Sequence, residues 1–228
     1  MAPDFPFPWY EPLLARLRVH LASEPFARDA AHDLGHILRV ARLAGDLAAE
    51  EGADPETCIA AALLHDLVYR PKNHPESSLT ARMAADLVPQ WCRETKGLES
   101  RAEAIAAAVA THSWSGGQAP ASLEAAVVQD ADRLEALGAI GIARVFATGA
   151  SFGAGLWHPE DPWGEGRDLD DKAWSLDHFE RKLLKLAAGM TTAAGRHRAQ
   201  ARQGAMTAYL DALRAELAAG GWNPIAES

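Results

Sequence analysis

Several features that define other classes of protein are scarce in this sequence. Only two of its 228 residues are cysteines, which excludes a disulfide framework and favours a reducing compartment. The longest apolar runs, such as Ala104–Ala110, are far shorter than the roughly 18–20 residues that cross a bilayer. The first six residues carry neither a basic nor an apolar stretch, so we expect no signal peptide and a cytoplasmic protein.

Basic residues are also in short supply. The chain has 22 lysines and arginines against 31 aspartates and glutamates, a net charge of -9. Because an acidic surface repels the phosphate backbone, we expect no nucleic-acid partner, and the lack of a spanning segment predicts no membrane partner. The sequence is compatible with a homodimer. Nine histidines are the one compositional sign of chemistry.

The apolar pattern predicts an all-α fold. Between Leu34 and Glu51 apolar residues recur at intervals of three and four, with Asp33 as N-cap and Gly52 as the stop. One hydrophobic core suffices at this length, so we predict a single-domain helical bundle over residues 1–228, with its core at about 30–217 and seven or eight helices. The further predicted helices run from Pro55 to the stop at Pro71, from Ser77 or Ser78 to near Pro89, from Ser100 to His112, from the cap Ser122 through Val145, from Trp174 to Ala188, and from Thr191 to Leu217.

One long irregular stretch interrupts the helices at residues 148–171, which are rich in glycine, proline and tryptophan. A loop of this length in a compact domain is usually functional, so we predict that it lies over or beside the site. Trp157, His158 and Trp163 are suited to stacking on a nucleobase, although packing against the bundle explains them equally well.

Three polar segments stand out against the alanine-rich background. They contain His36, the pair His65-Asp66, and Asp132, each on its own predicted helix. Because a buried carboxylate is costly unless it is hydrogen-bonded or binds a metal, these residues predict a site for one divalent ion. The mixed nitrogen and oxygen set suits Mn²⁺, Fe²⁺, Co²⁺, Ni²⁺ or Zn²⁺ better than an all-oxygen Mg²⁺ site. Asp130 is the competitor of Asp132, and we choose Asp132 because Leu134 and the apolar run after it place that part of the helix inward.

The order of these residues resembles the HD superfamily of metal-dependent phosphohydrolases, with His36, His65, Asp66 and Asp132 in the places of its four signature ligands. The resemblance extends from about Ala30 to Leu217 and is closest to a bacterial branch of HD-domain hydrolases. The segments that carry it are 32–40, 61–66, 71–75, 128–141 and 176–186.

The resemblance implies an enzyme that hydrolyses nucleoside or deoxynucleoside triphosphates to the monophosphate and pyrophosphate through a metal-activated water. Mn²⁺ is the expected ion, with Mg²⁺, Co²⁺, Ni²⁺, Fe²⁺ and Zn²⁺ as alternatives. A nucleotide phosphomonoesterase is the second interpretation. Two more remote ones are a di-iron oxygenase, which needs extra histidines such as His74 and His112, and a nucleotide sensor without turnover.

Further residues are predicted to act on the substrate. Lys72, between two prolines, is the leading phosphate contact and a catalytic candidate, with Asn73 and His74 beside it. His112 at a helix C-terminus is a candidate general acid, since that position favours a protonated imidazole. The remaining candidates are Asp33 as a catalytic residue that also caps its helix, and Arg39, Lys182 and Lys185 as substrate contacts, the two lysines near His178.

Overall fold

The computed structural model describes residues 5–71, 74–113 and 118–219 of the chain. Within these ranges the chain is α-helical and has no strand, apart from an isolated bridge between Gly155 and Trp174, which confirms the predicted all-α class. The nine described α-helices are α1 (Tyr10–Ala22), α2 (Leu34–Glu51), α3 (Pro55–Leu64), α4 (Thr80–Arg93), α5 (Ala102–Thr111), α6 (Leu123–Glu135), α7 (Gly138–Ser151), α8 (Leu184–Leu186) and α9 (Ala193–Ala219).

The helices that carry the candidate site begin at side-chain caps. Asp33 accepts a hydrogen bond from the backbone N–H of His36 at 2.8 Å, and α2 ends at Gly52 with φ +75°, as predicted. Asp54 caps α3 ahead of Pro55, and Ser122 caps α6. A cap of this kind stabilises a helix by about 1 kcal/mol.

The prediction of one helix from Ser122 through Val145 is wrong. The chain forms two helices there, α6 and α7, whose axes are bent by 71° relative to each other. Leu137 is extended and Gly138 has φ +71°, a conformation that strains any residue with a Cβ. The apolar period continues on both sides of Gly138 and so conceals the break.

Other predicted ends also differ from the structure. The helix from Pro55 ends at Leu64 rather than near Pro71, and α4 runs through Pro89 to Arg93, because its buried face continues to Cys92. The helix predicted from Trp174 begins instead as a π-helical turn at Phe179–Leu183, which leads into α8 and a 3₁₀ turn at Ala187–Gly189. The N-terminal helix α1 had no predicted counterpart.

Helix α3 occupies the centre of the bundle and positions the site. Every residue from Thr57 to Leu64 is buried, and α3 packs against α1, α2, α5 and α6. The polar pair His65-Asp66 follows directly at its C-terminal end, so the surrounding helices enclose that end.

Along the described residues, no single helix is both long and apolar enough to cross a membrane. Only α6 and α7 taken together reach that length and hydropathy, and the bend of 71° separates them.

Candidate metal centre and adjoining cavity

Four side chains from three helices converge at the end of α3. The Nε2 atoms of His36 and His65 lie 3.3 Å apart. Asp66 Oδ2 lies 3.9 Å from His36 Nε2 and 3.6 Å from His65 Nε2, and Asp132 Oδ1 lies 3.4 Å and 3.9 Å from the same two atoms. The structure therefore brings together all four predicted ligands. Among the described residues, His36, His65 and Asp66 form the one group of three whose ligand atoms all lie within 4.8 Å of one another.

The local backbone fixes the tautomer of His65. Its Nδ1 lies 2.7 Å from the carbonyl oxygen of Ala62, in the last turn of α3. Nδ1 therefore carries the proton and donates a hydrogen bond to that oxygen. The Nε2 lone pair is then available on the side of the other three residues. Burial lowers the pKa of His65 to about 4, which keeps the imidazole neutral, the form that binds a metal.

The charges of the cluster depend on one another. Burial alone would raise the pKa of Asp66, but the imidazoles of His65 and His36 lower it, and His36 and His65 hold the pKa of Asp132 well below its usual range. For His36, burial opposes protonation while Asp132 and Glu135 raise its pKa. Two ionised carboxylates beside two buried imidazoles form a donor set that fits one divalent cation.

Glu135 supports His36 from the side away from the cluster, and sequence reasoning did not single it out. Its carboxylate is 1% exposed, lies 3.7 Å from His36 Nδ1 and accepts a hydrogen bond from Arg39 Nε at 2.6 Å. Metal-binding histidines commonly donate their second N–H to such a carboxylate. The sequence feature that could have identified Glu135 is its spacing, because it follows Asp132 by three residues and shares its face of α6.

A second buried group holds the other side of the cluster. Arg28 pairs with Glu24 at 2.5 Å and donates to the backbone oxygens of His32 and Asp66. Glu24 also accepts a hydrogen bond from the backbone N–H of Tyr69 at 3.0 Å. This ion pair therefore fixes the segment that carries Asp66 after the end of α3. No pattern in the sequence indicated it.

Asp130 has a different environment from Asp132. It is fully buried and accepts hydrogen bonds from the backbone N–H and the hydroxyl of both Thr191 and Thr192, at 2.7 to 3.2 Å. A Cβ on Gly195 would lie 2.5 Å from its Oδ2. Asp130 therefore anchors the start of α9 to α6, and its carboxylate points away from the cluster.

His112 lies against the cluster. It follows the last residue of α5, is buried, and its Nδ1 donates to the carbonyl oxygen of Val109 at 2.6 Å. Its ring meets the ring of His65 edge to face, with centroids 4.9 Å apart. Gln129 fixes the end of α5 by donating to the carbonyl oxygen of Thr111 at 2.7 Å.

The other predicted contacts are more widely spread. Asp33 caps α2 and Arg39 pairs with Glu135, as described above. His74 accepts a hydrogen bond from the backbone N–H of Glu76 and packs on Phe26, so its visible role is in the turn. The predictions for Lys72 and Asn73 concern residues that lie outside the described ranges.

A cavity of about 400 Å³ adjoins the metal centre. Arg144 connects the two, because its Nη1 contacts His36 Nδ1 and its side chain also lines the cavity. Lys182 lines the cavity, whereas Lys185 is exposed and does not. The other lining residues are His32, Ser77, Ala136, Gly141, Val145, Thr148, Gly149, Phe152, Asp171, Lys172, Ser175, His178 and Leu183.

Parts of the predicted loop border this cavity, but its tryptophans do not. Phe152 and Asp171 line it, whereas Trp157 packs against the core and Trp163 lies under Arg214, whose guanidinium carbon is 4.1 Å from the ring centroid. His158 accepts hydrogen bonds from the two backbone N–H groups of Glu160 and Asp161. These three side chains stabilise the loop, and the aromatic ring that faces the cavity is Phe152.

Comparisons with known proteins agree with this arrangement. A family model of the HD domain matches residues 33–137, which contain all four clustered residues. The chain is 31% identical over 207 residues to YpgQ of Bacillus subtilis (strain 168), covering 89% of this chain and 92% of that protein. A crystal structure of B. subtilis YpgQ in complex with ADP is 30% identical, with a TM-score of 0.68 over 91% of this chain and 94% of that one. A crystal structure of an HD-superfamily hydrolase from Bacillus thuringiensis is 29% identical, with a TM-score of 0.65 over 92% and 96%.

Proposed function

The chain belongs to the HD domain family and is a metal-dependent phosphohydrolase of that family, and we propose that it hydrolyses nucleoside triphosphates to the monophosphate and pyrophosphate. The observation that supports this most strongly is the position of the cluster beside a cavity of about 400 Å³, a size that suits a nucleotide. The relative YpgQ has been crystallised with ADP, which supports a nucleotide as the ligand class.

We assign His36, His65, Asp66 and Asp132 as the ligands of one divalent ion, with Mn²⁺ as the proposed ion. An ion held there lowers the pKa of a bound water and neutralises charge on a phosphate. The protein contributes orientation, because Glu135 and Arg144 both face Nδ1 of His36 and the carbonyl oxygen of Ala62 fixes the tautomer of His65.

Three further side chains act on the phosphate chain. Arg144 and Lys182 line the cavity and offer positive charge to phosphate oxygens. We assign His112, whose ring abuts His65, as the donor of a proton to the leaving pyrophosphate oxygen. Phosphoryl transfer depends mainly on positioning and charge neutralisation, so the loss of any of these side chains is expected to lower the rate.

Product analysis tests the proposal. The full chain, supplied with Mn²⁺ and each nucleoside triphosphate in turn, is expected to release pyrophosphate and monophosphate in equal amounts. The matched control is His65→Ala, which removes a ligand at the centre of the cluster and is expected to abolish release. Orthophosphate as the only phosphate product would refute the proposal and support a nucleotide phosphomonoesterase.

The remaining alternatives make different predictions for the same preparation. A di-iron oxygenase requires two irons per chain, which metal analysis would detect. Against it, His74 is placed in a turn rather than among the clustered ligand atoms. A nucleotide sensor would bind nucleotides without turnover in any divalent metal.

A further inference from the structure

One face of α7 forms a wall of the cavity that begins at the metal centre. Gly141, Arg144, Thr148 and Phe152 all line the cavity, and their spacing of three and four residues places them on one side of the helix. Arg144 contacts His36 at the near end. Phe152 follows eight residues later, about 12 Å further along the axis at 1.5 Å per residue.

The opposite wall, residues 171–183, runs antiparallel to α7. At the far end, a Cβ on Gly149 would lie 2.1 Å from Ser175 Oγ, so the two walls are in contact there. Further along, the rings of Phe146 and Phe179 have centroids 6.2 Å apart. The segment then reaches α6, where Arg133 Nη1 donates to the carbonyl oxygen of Gly189 at 2.7 Å.

Lys182 lies between Phe179 and Gly189 in the chain. Because this wall runs antiparallel to α7, Lys182 is near the metal end of the cavity. Asp171 also lines the cavity, on the wall opposite α7, where its carboxylate lies 2.7 Å from His178 Nδ1.

The two ends of the cavity consequently differ in chemistry. The near end has the cations Arg144 and Lys182 beside the metal ligands. The far end has the aromatic ring of Phe152. On the wall opposite α7, the carboxylate of Asp171 accepts a hydrogen bond from His178 Nδ1 at 2.7 Å and forms an ion pair with Arg181 Nε at 3.2 Å. Lys172 also lines the cavity, but it is exposed, so solvent screens its positive charge.

A nucleotide has the same polarity, with phosphates at one end and, at the other, a planar base and hydrogen-bond donors. A carboxylate repels phosphate but accepts hydrogen bonds from base N–H groups or sugar hydroxyls, and that of Asp171 has lone pairs beyond the one that accepts from His178. An aromatic ring offers a surface on which a base can stack.

We propose that the nucleoside half of the substrate binds between Phe152 and Asp171 with its α-phosphate at Arg144 and Lys182, and that Asp171 determines specificity by accepting a hydrogen bond from the nucleoside. This inference rests on the proposed function in taking a nucleotide as the substrate. It assigns the far end of the cavity to nucleoside recognition, and phosphate binding to the near end.

Calorimetric titration of the Mn²⁺-loaded full chain tests this assignment, with the common nucleoside monophosphates, the corresponding phosphate-free nucleosides and inorganic pyrophosphate as probes. Asp171→Asn keeps the side-chain volume and the contact with His178 but removes the charge. We expect it to weaken binding of the preferred nucleoside and its monophosphate at least tenfold, and to leave pyrophosphate binding within twofold. Phe152→Leu is expected to weaken the nucleoside in the same way.

The matched control is Asp168→Asn, an exposed acid of the same segment that does not line the cavity. It is expected to bind every probe as the unaltered chain does. Arg144→Met is expected to weaken the monophosphate and to leave the phosphate-free nucleoside unchanged, which separates the two ends. Comparing each ribonucleoside with its 2′-deoxy form, and one base with another, decides whether Asp171 accepts from the sugar or from the base.

The inference is overturned if no nucleoside binds, or if Asp171→Asn and Phe152→Leu bind the nucleosides as Asp168→Asn does. Those results would leave the proposed function standing, provided that pyrophosphate is still released. Conversely, release of orthophosphate alone would refute the proposed function, while nucleoside binding that depends on Asp171 would still support the assignment of the far end.

Discussion

Replacing each of the two aspartates of α6 by alanine in turn should separate a structural carboxylate from an ion ligand. Asp130→Ala removes the acceptor of two backbone N–H groups and two hydroxyls at the start of α9. Asp132→Ala removes a carboxylate whose described contacts are the imidazoles of His36 and His65. The two variants are chemically identical and only two residues apart in the chain.

The expected loss of stability follows from these contacts. Each buried N–H left without an acceptor costs about 1–3 kcal/mol, so Asp130→Ala should lower the free energy of unfolding by on the order of 4 kcal/mol. For a chain of this size, that is a fall in Tm of about 8–16 °C. The side chain of Asp132 is 24% exposed and makes no hydrogen bond to the backbone, so its loss should cost about 1 kcal/mol or less.

Thermal unfolding followed by circular dichroism, first in EDTA and then with Mn²⁺, measures both effects. In EDTA, Asp130→Ala should unfold well below the unaltered chain, whereas Asp132→Ala should unfold within a few degrees of it. An ion at 100 times its Kd should then stabilise the unaltered chain by about 2.7 kcal/mol, and Asp130→Ala should gain the same increment. Asp132→Ala should gain much less.

The opposite pattern would refute this reasoning. If Asp132→Ala unfolds early in EDTA but still gains stability from Mn²⁺, while Asp130→Ala behaves like the unaltered chain without that gain, then Asp130 is the ligand and Asp132 the anchor.

Three further predictions concern the surroundings of the cluster. Glu135→Gln should weaken Mn²⁺ binding 10- to 100-fold in calorimetric titration, because the partner of His36 loses its charge; an unchanged Kd would contradict this role. His112→Gln should lower kcat at least 100-fold while Mn²⁺ affinity stays within a few-fold, and an unchanged kcat would restrict His112 to packing. Burial opposes the ionisation of Asp29, but the hydrogen bond from His32 lowers its pKa from 3.8 to about 2. Asp29 therefore stabilises the fold above pH 4 and loses this effect as the pH falls towards 2, so Asp29→Asn should flatten the pH dependence of urea unfolding between pH 5 and 2.5.

The parts of the fold that follow local rules could be predicted from the sequence. Helix α2 begins at Asp33 and ends at Gly52, because a side-chain cap and a left-handed glycine act within a few residues of each end. The convergence of His36 with His65 and Asp66 follows from the same local features, since α3 ends where this pair begins and packs along α2. The expectation for these three residues rested on order and residue type, and neither depends on distant contacts.

The choice between Asp130 and Asp132 could not be argued reliably from local pattern. We favoured Asp132 because the helix around Leu134 should face inward, yet Asp130 is the fully buried member and Asp132 lies at the edge of the cluster. An inward position does not distinguish a metal site from an anchor. The decisive partners of Asp130 are Thr191 and Thr192, about sixty residues later in the chain, which no local pattern reveals.

The cavity was beyond prediction for a related reason. Its walls depend on the bend between α6 and α7 and on the antiparallel course of residues 171–183, and both result from tertiary contacts. Gly138 was visible as a residue, but its left-handed φ was not. Arg144 was overlooked in turn, because only the bend brings its side chain to His36.

The distribution of charge around the cluster explains how an acidic chain can bind an anionic substrate. Arg28 and Arg39 each pair with a glutamate whose carboxylate is buried, so their charge is already compensated and helps to hold the clustered side chains in place. Arg144, whose Nη1 lies 4.0 Å from Glu135 Oε2, and Lys182 line the cavity, where positive charge can meet a phosphate. Extended polyanions would encounter the net charge of -9 over the whole surface, whereas this cavity offers positive charge locally. A small phosphate ester that fits inside the cavity therefore gains the favourable local field and avoids most of the repulsion that the acidic surface exerts on an extended phosphate backbone.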